Sequence, residues 1–118
     1  MSREIGIIGE DIACKILIDM GYVIVERNYH SKFGEIDIIA RLDTKIIFVE
    51  VKYKEDQGYG LPQEAVTRQK IRKIIKTARY YLHESELSET DWQIDVLAIA
   101  KEKGSYNLIE NIYIEGLS

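Results

Sequence analysis

The sequence predicts an α/β domain in which a mixed sheet is flanked by helices, in the order α-β-β-β-α-β. Two segments repeat apolar residues at helical spacing, and segments rich in β-branched residues lie between them and after them. This alternation of the two periodicities is typical of a sheet covered by helices. With 118 residues, the chain is expected to form one domain, 1–118, because two independent cores would need a longer sequence.

Helical spacing defines the two predicted helices. From Glu4 to Met20 apolar residues recur every three or four positions, which predicts a helix packed on one side and ended by Gly21. The second helix is predicted to begin at Pro62, the only proline, and to run to about Leu82. Polar residues at 55–61 and 83–91 predict the loop before this helix and the linker after it.

Runs of β-branched residues define the predicted strands. The second and third runs are separated by the short polar stretch 41–44, which predicts a hairpin. A further run after 101–105 predicts a last strand at the end of the basic pattern. The predicted strands are Tyr22 to Asn28, Gly34 to Ala40, Lys45 to Tyr53, Gln93 to Ala100 and a final one within Tyr106 to Glu115.

Composition limits the class of protein. Hydrophobic residues make up 46% of the chain and charged residues 31%, as in ordinary globular proteins. The formal net charge of −4 argues against a protein that coats nucleic acid through bulk charge. Cys14 is the only cysteine, so no internal disulfide can form, and neither a signal-peptide pattern nor a membrane-spanning apolar run is present. A cytoplasmic location without a membrane partner is expected.

Two carboxylates interrupt apolar strands. Asp37 lies among isoleucines, and Glu50 directly follows the most apolar run of the chain. Burial of a carboxylate is costly unless another group compensates its charge. If the two strands pair around the turn at 41–44, Asp37 can lie close to Glu50. Two close carboxylates repel each other, and a hard cation relieves that repulsion, so we expect them to hold Mg²⁺ (or Mn²⁺).

Lys52 shares a strand face with Glu50, because side chains at positions i and i+2 point the same way. A lysine at such a site can orient the attacking water and offset charge on a phosphate. Asp37, Glu50 and Lys52 therefore suit hydrolysis of a phosphodiester. The alternative is a solvated Glu-Lys pair on an edge strand, which contributes under about 1 kcal/mol. The apolar flanks on both faces argue against such an edge.

Glu10 is the fourth candidate catalytic residue. Its neighbours on the predicted helix include Ala13 and Leu17, so its carboxylate lies at the border of the packed stripe and could extend toward Asp37. The alternative is an ordinary glutamate near a helix amino terminus, where the helix dipole favours a negative charge.

The second helix is strongly basic. Its central segment contains no acidic residue and is expected to contact phosphates, although a solvated helix face is the alternative. Lys70 stands apart because its position can direct it toward the sheet. The basic residues of this segment are Arg68, Lys70, Arg72, Lys73, Lys76 and Arg79, of which the first five are the predicted nucleic-acid-binding set.

An ordered combination of short motifs extends over most of the chain. The motifs are Gly9-Glu10 with Ala13, Gly21-Tyr22, Asn28-Tyr29, the runs Gly34 to Ala40 and Phe48 to Lys52, Val66 with Lys70, Ala78 with Tyr81-Leu82, and Ile94-Asp95-Val96. With these motifs in this order, the sequence resembles the YraN-like family of small bacterial proteins.

The resemblance implies a restriction-endonuclease-like PD-(D/E)XK fold, similar to archaeal-type Holliday-junction resolvases. It further implies that Glu10, Asp37, Glu50 and Lys52 match the acidic, metal-binding and lysine positions of those nucleases, and that Lys70 matches a basic position. The expected activity is metal-dependent cleavage of structured, branched or single-stranded DNA. The alternative is a nucleic-acid-binding module that keeps the constellation without cleaving. A homodimer would fit an enzyme that cuts two strands.

Overall fold

The computed structural model describes residues 3–54, 67–100 and 105–109, and the side chains of most of them. The elements follow the predicted order, with the additional strand at the end. They are α1 (Arg3–Asp19), β1 (Val23–Ser31), β2 (Gly34–Leu42), β3 (Lys45–Lys54), α2 (Arg68–Glu84), β4 (Trp92–Ala100) and β5 (Ser105–Ile109).

The five strands form one mixed sheet in the order β1-β2-β3-β4-β5. Strands β3 and β4 pair in parallel, and the other neighbours pair antiparallel. The predicted hairpin of β2 and β3 is confirmed by the register that joins Leu42 to Lys45. Because β3 is the central strand, its Glu-x-Lys sequence does not lie on an edge of the sheet.

The two helices cover different hydrophobic clusters of the sheet. α2 packs in a cluster that includes Phe48 and Ile94, whereas α1 packs in a cluster that includes Val49 and Leu97. This division follows the alternation of side chains along β3 and β4. Continuing the alternation from Phe48 directs Glu50 to the side of the sheet that α2 covers.

Strand β2 is irregular at Asp37. Ile36 belongs to the cluster beneath α2, but Ile38 belongs to the cluster beneath α1. Strict alternation would place residues 36 and 38 on the same face. The recorded pairing with β3 also ends at Ile38 and Val49. Asp37 therefore lies where β2 separates from β3, at the border between the two faces.

The start of α2 differs from the sequence prediction. Thr67 has an extended backbone, with φ −78° and ψ 164°, and its side chain accepts a hydrogen bond from the backbone N–H of Lys70. A residue in this conformation is an N-cap and cannot lie inside a helix. The helix therefore begins at Arg68, and the prediction of one continuous helix from Pro62 was wrong. Pro62 itself and the loop predicted at 55–61 lie outside the described residues.

The other described boundaries agree with the sequence prediction to within one or two residues, except that β1 continues to Ser31 and does not end at Asn28. α1 ends at Asp19, and Gly21 follows it with φ +96°, a conformation that glycine adopts readily. The last strand is confirmed over Ser105–Ile109, and its predicted continuation to residue 115 is outside the described ranges. Within those ranges, neither helix has the length and apolar character needed to span a bilayer.

Candidate functional site

The candidate site lies where β2 and β3 separate. Oδ2 of Asp37 accepts a hydrogen bond from the backbone N–H of Val51 at 2.8 Å. The side chain of one strand thus satisfies a main-chain donor of its neighbour at the point where the strand pairing has stopped. This bond fixes the Asp37 carboxylate beside the segment of β3 that contains Glu50 and Lys52.

Glu50 lies between two lysines. Its Oε1 atom is 2.9 Å from Nζ of Lys70 and 3.6 Å from Nζ of Lys52. The side chain of Glu50 is only 11% exposed, so these ion pairs are shielded from water more than ordinary surface pairs. The expectation that Lys70 points from α2 toward the sheet is confirmed by its contact with Glu50.

Glu10 approaches the same region from α1. Its side chain is 12% exposed, and Oε1 lies 3.5 Å from Nη2 of Arg27 on β1. That oxygen makes no hydrogen bond within the described part of the chain. The same Arg27 group is 2.7 Å from Oδ1 of Asp11, which holds the guanidinium between β1 and α1.

The negative charges of Glu10 and Glu50 both affect the ionisation of Asp37. Burial and, next, the negative charge of Glu50 raise the pKa of Asp37 from 3.8 to about 7. This pKa also includes a smaller raising effect of Glu10 and the lowering effects of the Val51 N–H and of the charge of Lys70. The structure therefore brings Glu10 and Glu50, from two different elements, close enough to Asp37 to affect its ionisation.

The two lysines differ in their affinity for a proton. Burial, followed by the hydrogen bond with Lys70, lowers the pKa of Lys52. Burial also lowers the pKa of Lys70, but the hydrogen bonds with Lys52 and Glu50 and the negative charges of Glu50 and Asp37 act together in the opposite direction, so the net pKa of Lys70 is raised. Lys52 is thus the lysine that loses its proton more readily.

The carboxylate oxygens of Asp37, Glu50 and Glu10 are candidate ligands for a divalent cation. Within the described residues, no three His, Cys, Asp or Glu side chains converge into a complete metal cage. Mg²⁺ does not require one, because it is often bound through one or two carboxylates and keeps several water ligands. Two interacting carboxylates at Asp37 and Glu50, with a buried Glu10 oxygen nearby, are oxygen donors of the kind that fits this ion.

The basic residues of α2 spread around the exposed side of the helix. At about 100° per residue, Lys73 lies on the flank next to Lys70, whereas Arg68 and Arg72 lie on the opposite flank, and Lys76 lies between the two flanks. Lys70 is partly buried against Glu50, and the other four side chains are exposed. The sequence run is therefore not a single row of cations in three dimensions.

Arg27 is the contact residue that sequence reasoning missed. It bridges Glu10 and Asp11 from a strand on the edge of the sheet. No local pattern marks it, because its partners are sixteen or more positions away in the chain. The only available signal was a positive residue in a strand whose partner helix contains two consecutive acidic residues.

Sequence comparisons place the chain among bacterial relatives. It is 46% identical over 91 residues to a UPF0102 protein of Persephonella marina, covering 77% of this chain and 78% of that protein. It is 43% identical over 115 residues to a UPF0102 protein of Lachnoclostridium phytofermentans, covering 96% of each chain. A UPF0102 protein of Syntrophomonas wolfei is 40% identical over 104 residues, covering 88% of this chain and 90% of that protein.

A family model matches residues 9–99, a span that contains Glu10, Asp37, Glu50, Lys52 and Lys70. The candidate site thus falls within the region that the family shares, whereas β5 lies outside it. The chain belongs to the family described as Uncharacterised protein family UPF0102, the YraN-like family that its motifs resemble.

Proposed function

We propose that this protein is a metal-dependent endonuclease or resolvase that hydrolyses phosphodiester bonds in structured or branched DNA. The observation that supports this function best is the meeting of Asp37 with Glu50 and two lysines where β2 separates from β3. A partly buried carboxylate whose pKa is raised by burial and by a neighbouring charge, beside basic groups, is typical of functional sites. The restriction-endonuclease-like fold implied by the sequence motifs agrees with this proposal.

In this proposal Asp37 and Glu50 hold Mg²⁺ or Mn²⁺, and Glu10 assists through the metal or a water molecule. When bound, the cation would supply polarisation of the phosphate and a water of lowered pKa. Asp37 is held in place by the Val51 N–H, so its carboxylate needs little reorganisation to accept a cation.

The lysines would have separate roles. Lys52, whose pKa is lowered by burial and by Lys70, orients the attacking water and can accept its proton. Lys70 keeps its proton and places a positive charge beside the phosphate. Exposed cations farther along α2 would bind the phosphates of the rest of the strand.

Cleavage assays with matched variants test this function. Purified protein with Mg²⁺ or Mn²⁺ is incubated with labelled flaps, four-way junctions, single strands and duplexes. The variant is Asp37→Asn, which keeps the shape of the side chain, and the control is Glu35→Gln, which removes an exposed carboxylate from the same strand. We expect Asp37→Asn to lose about 100-fold or more of the cleavage rate. Equal cleavage by Asp37→Asn and the control would contradict the proposal.

A second candidate is a nucleic-acid-binding module without catalysis. It is favoured by the 2.9 Å ion pair of Glu50 with Lys70, which compensates the carboxylate without a metal. If both divalent cations leave every substrate intact while the protein retards the same DNAs on a gel, this candidate is supported. Sedimentation of the same sample tests whether a homodimer supplies two sites.

A further inference from the structure

The turn between β1 and β2 places an aromatic and basic cluster on α2. The ring of Phe33 packs edge-on against Tyr80, with centroids 5.4 Å apart. Nζ of Lys32 lies 5.3 Å from the centre of the Phe33 ring, and Nζ of Lys76 lies 5.5 Å from it. We call these four residues, Lys32, Phe33, Lys76 and Tyr80, the Phe33 patch. The proposed function does not use this patch beyond the charge of Lys76.

The turn that carries Phe33 is held firmly against the helix. Oγ of Ser31 accepts a hydrogen bond from the backbone N–H of Phe33 at 3.1 Å and donates one to the carbonyl of Gly34 at 3.3 Å. Gly34 has φ +151°, and a Cβ atom there would lie 3.0 Å from Oγ1 of Thr77. Glycine therefore allows the turn to approach α2, which positions the ring before any ligand arrives.

The charges of the patch are available to a phosphate. Lys32 and Lys76 are exposed, and in the described part of the chain neither ammonium has a carboxylate within ion-pair distance. An exposed cation–π contact contributes only about 0.5–1 kcal/mol. Each lysine can therefore leave the ring for a phosphate at little cost, which uncovers the aromatic surface for another planar group.

The patch lies on a continuous path from the candidate site. Tyr80 follows Lys70 by ten positions on α2, a distance of about 15 Å along the helix axis. Lys73 and Lys76 lie between them along the helix axis: Lys73 is a neighbour of Lys70, and Lys76 is a neighbour of Tyr80, since residues three and four apart are adjacent on a helix. A strand whose phosphate contacts Lys70 would reach the Phe33 patch a few nucleotides away.

We propose that the Phe33 patch binds an unpaired stretch of the nucleic-acid strand beside the reaction site, with a base stacked on Phe33 and phosphates on Lys32 and Lys76. This inference rests on the proposed function, because it assigns a substrate class to the same site. A base inside a duplex has both faces covered by its neighbours, so it cannot stack on a side chain without leaving the helix. The combination of an aromatic surface with a basic groove is typical of single-strand binding.

Metal-free binding measurements test this inference separately from catalysis. Fluorescence anisotropy in EDTA compares a labelled single strand with a blunt duplex for the wild type, Phe33→Leu and Phe33→Tyr. We expect Phe33→Leu to weaken single-strand binding by roughly tenfold, as loss of one stacked base would, and to leave duplex binding unchanged. Phe33→Tyr keeps an aromatic ring and should bind as the wild type does.

The salt dependence of single-strand binding by lysine variants provides the second readout. Lys76→Gln should reduce the slope of log affinity against log salt for the single strand by roughly 0.7. The matched control is Lys15→Gln, an exposed lysine on α1, which should leave the slope unchanged. The inference is overturned if Phe33→Leu, with an unchanged melting temperature, binds the single strand normally or loses equal affinity for strand and duplex. If the wild type and the variants bind as expected but no DNA is cleaved, only the nuclease function is refuted.

Discussion

Oδ2 of Asp37 accepts the backbone N–H of Val51 at 2.8 Å. This bond joins β2 to β3 next to Ile38 and Val49, which are the last paired residues at that end of the two strands. It leaves the carboxylate anchored through one oxygen in a region where Glu50 raises its affinity for a proton. Asp37 is therefore both a structural link between two strands and a carboxyl group with a raised pKa.

The first prediction concerns the pH dependence of stability in EDTA. The pKa of Asp37 is raised from 3.8 to about 7, so the folded state binds this proton more tightly than the unfolded state. The stabilisation is complete below about pH 4, is lost as the pH rises to about 7, and changes at no more than ~1.4 kcal/mol per pH unit. Asp37→Asn cannot ionise and should be more stable than the wild type above this range.

Thermal melts of both proteins across that pH range measure the difference, and Glu35→Gln serves as the control. The gap between wild type and Asp37→Asn should widen with increasing pH. A constant gap would show that Asp37 is ionised normally in the folded protein and is not close to other carboxylates.

The second prediction separates metal binding from phosphate binding at Lys70. Lys70→Met removes a positive charge 2.9 Å from Glu50, so the site should bind Mg²⁺ more tightly, by roughly fivefold. Cleavage should nevertheless decrease by roughly tenfold or more, because the charge beside the phosphate is lost. Calorimetric titration measures the Mg²⁺ affinity, and single-turnover kinetics measure the cleavage rate.

Lys73→Met is the matched control for Lys70→Met, since Lys73 is an exposed lysine on the same helix. It should leave Mg²⁺ affinity unchanged. Weaker Mg²⁺ binding by Lys70→Met would contradict a metal position next to Glu50.

The third prediction tests the packing of α1 on β3. A Cβ atom at Gly9 would lie 2.8 Å from Cβ of Tyr53, a contact with the rigid base of a side chain. Gly9→Ala should therefore destabilise the protein by about 1–3 kcal/mol through overpacking. It should also reduce activity, because the displaced helix carries Glu10.

Chemical denaturation measures the effect of Gly9→Ala, with Lys15→Ala as an exposed substitution on the same helix. On helix propensity alone, glycine to alanine would stabilise the helix by up to about 1 kcal/mol. An increase in stability would therefore show that α1 lies farther from Tyr53 than described.

The fourth prediction concerns the thiol of Cys14. Burial raises the pKa of this thiol above 9.0, since the opposing effect of Arg27 is smaller. The reactive thiolate should be scarce at neutral pH. Labelling with a disulfide reagent should be slow in the folded protein and rapid after addition of denaturant. Equal rates in the two states would place Cys14 on the surface.

Local patterns predicted most of the fold. The apolar spacing defined α1 and the buried face of α2, and the polar stretch at 41–44 defined the β2–β3 hairpin. The start of α2 was not predictable in the same way, because the apolar spacing continues upstream through Val66. The helix nevertheless begins only at Arg68, because the backbone of Thr67 is extended.

The core of the site was predictable from strand geometry. Alternation places Glu50 and Lys52 on one face, and a hairpin register brings Asp37 toward them. The Arg27 contacts and the Phe33 patch were not predictable, because they depend on how separate elements pack. Phe33 and Tyr80, for example, are far apart in the sequence and meet only when the β1–β2 turn lies on α2.

The anomalous signal from a crystal grown with Mn²⁺ is the sharpest test of a metal site at Asp37 and Glu50. We expect one strong peak bound by carboxylate oxygens of these two residues, at distances of about 2.0–2.3 Å, with Lys70 moved away from Glu50. A crystal at saturating Mn²⁺ that shows no peak there, with Glu50 still 2.9 Å from Lys70, would contradict this expectation.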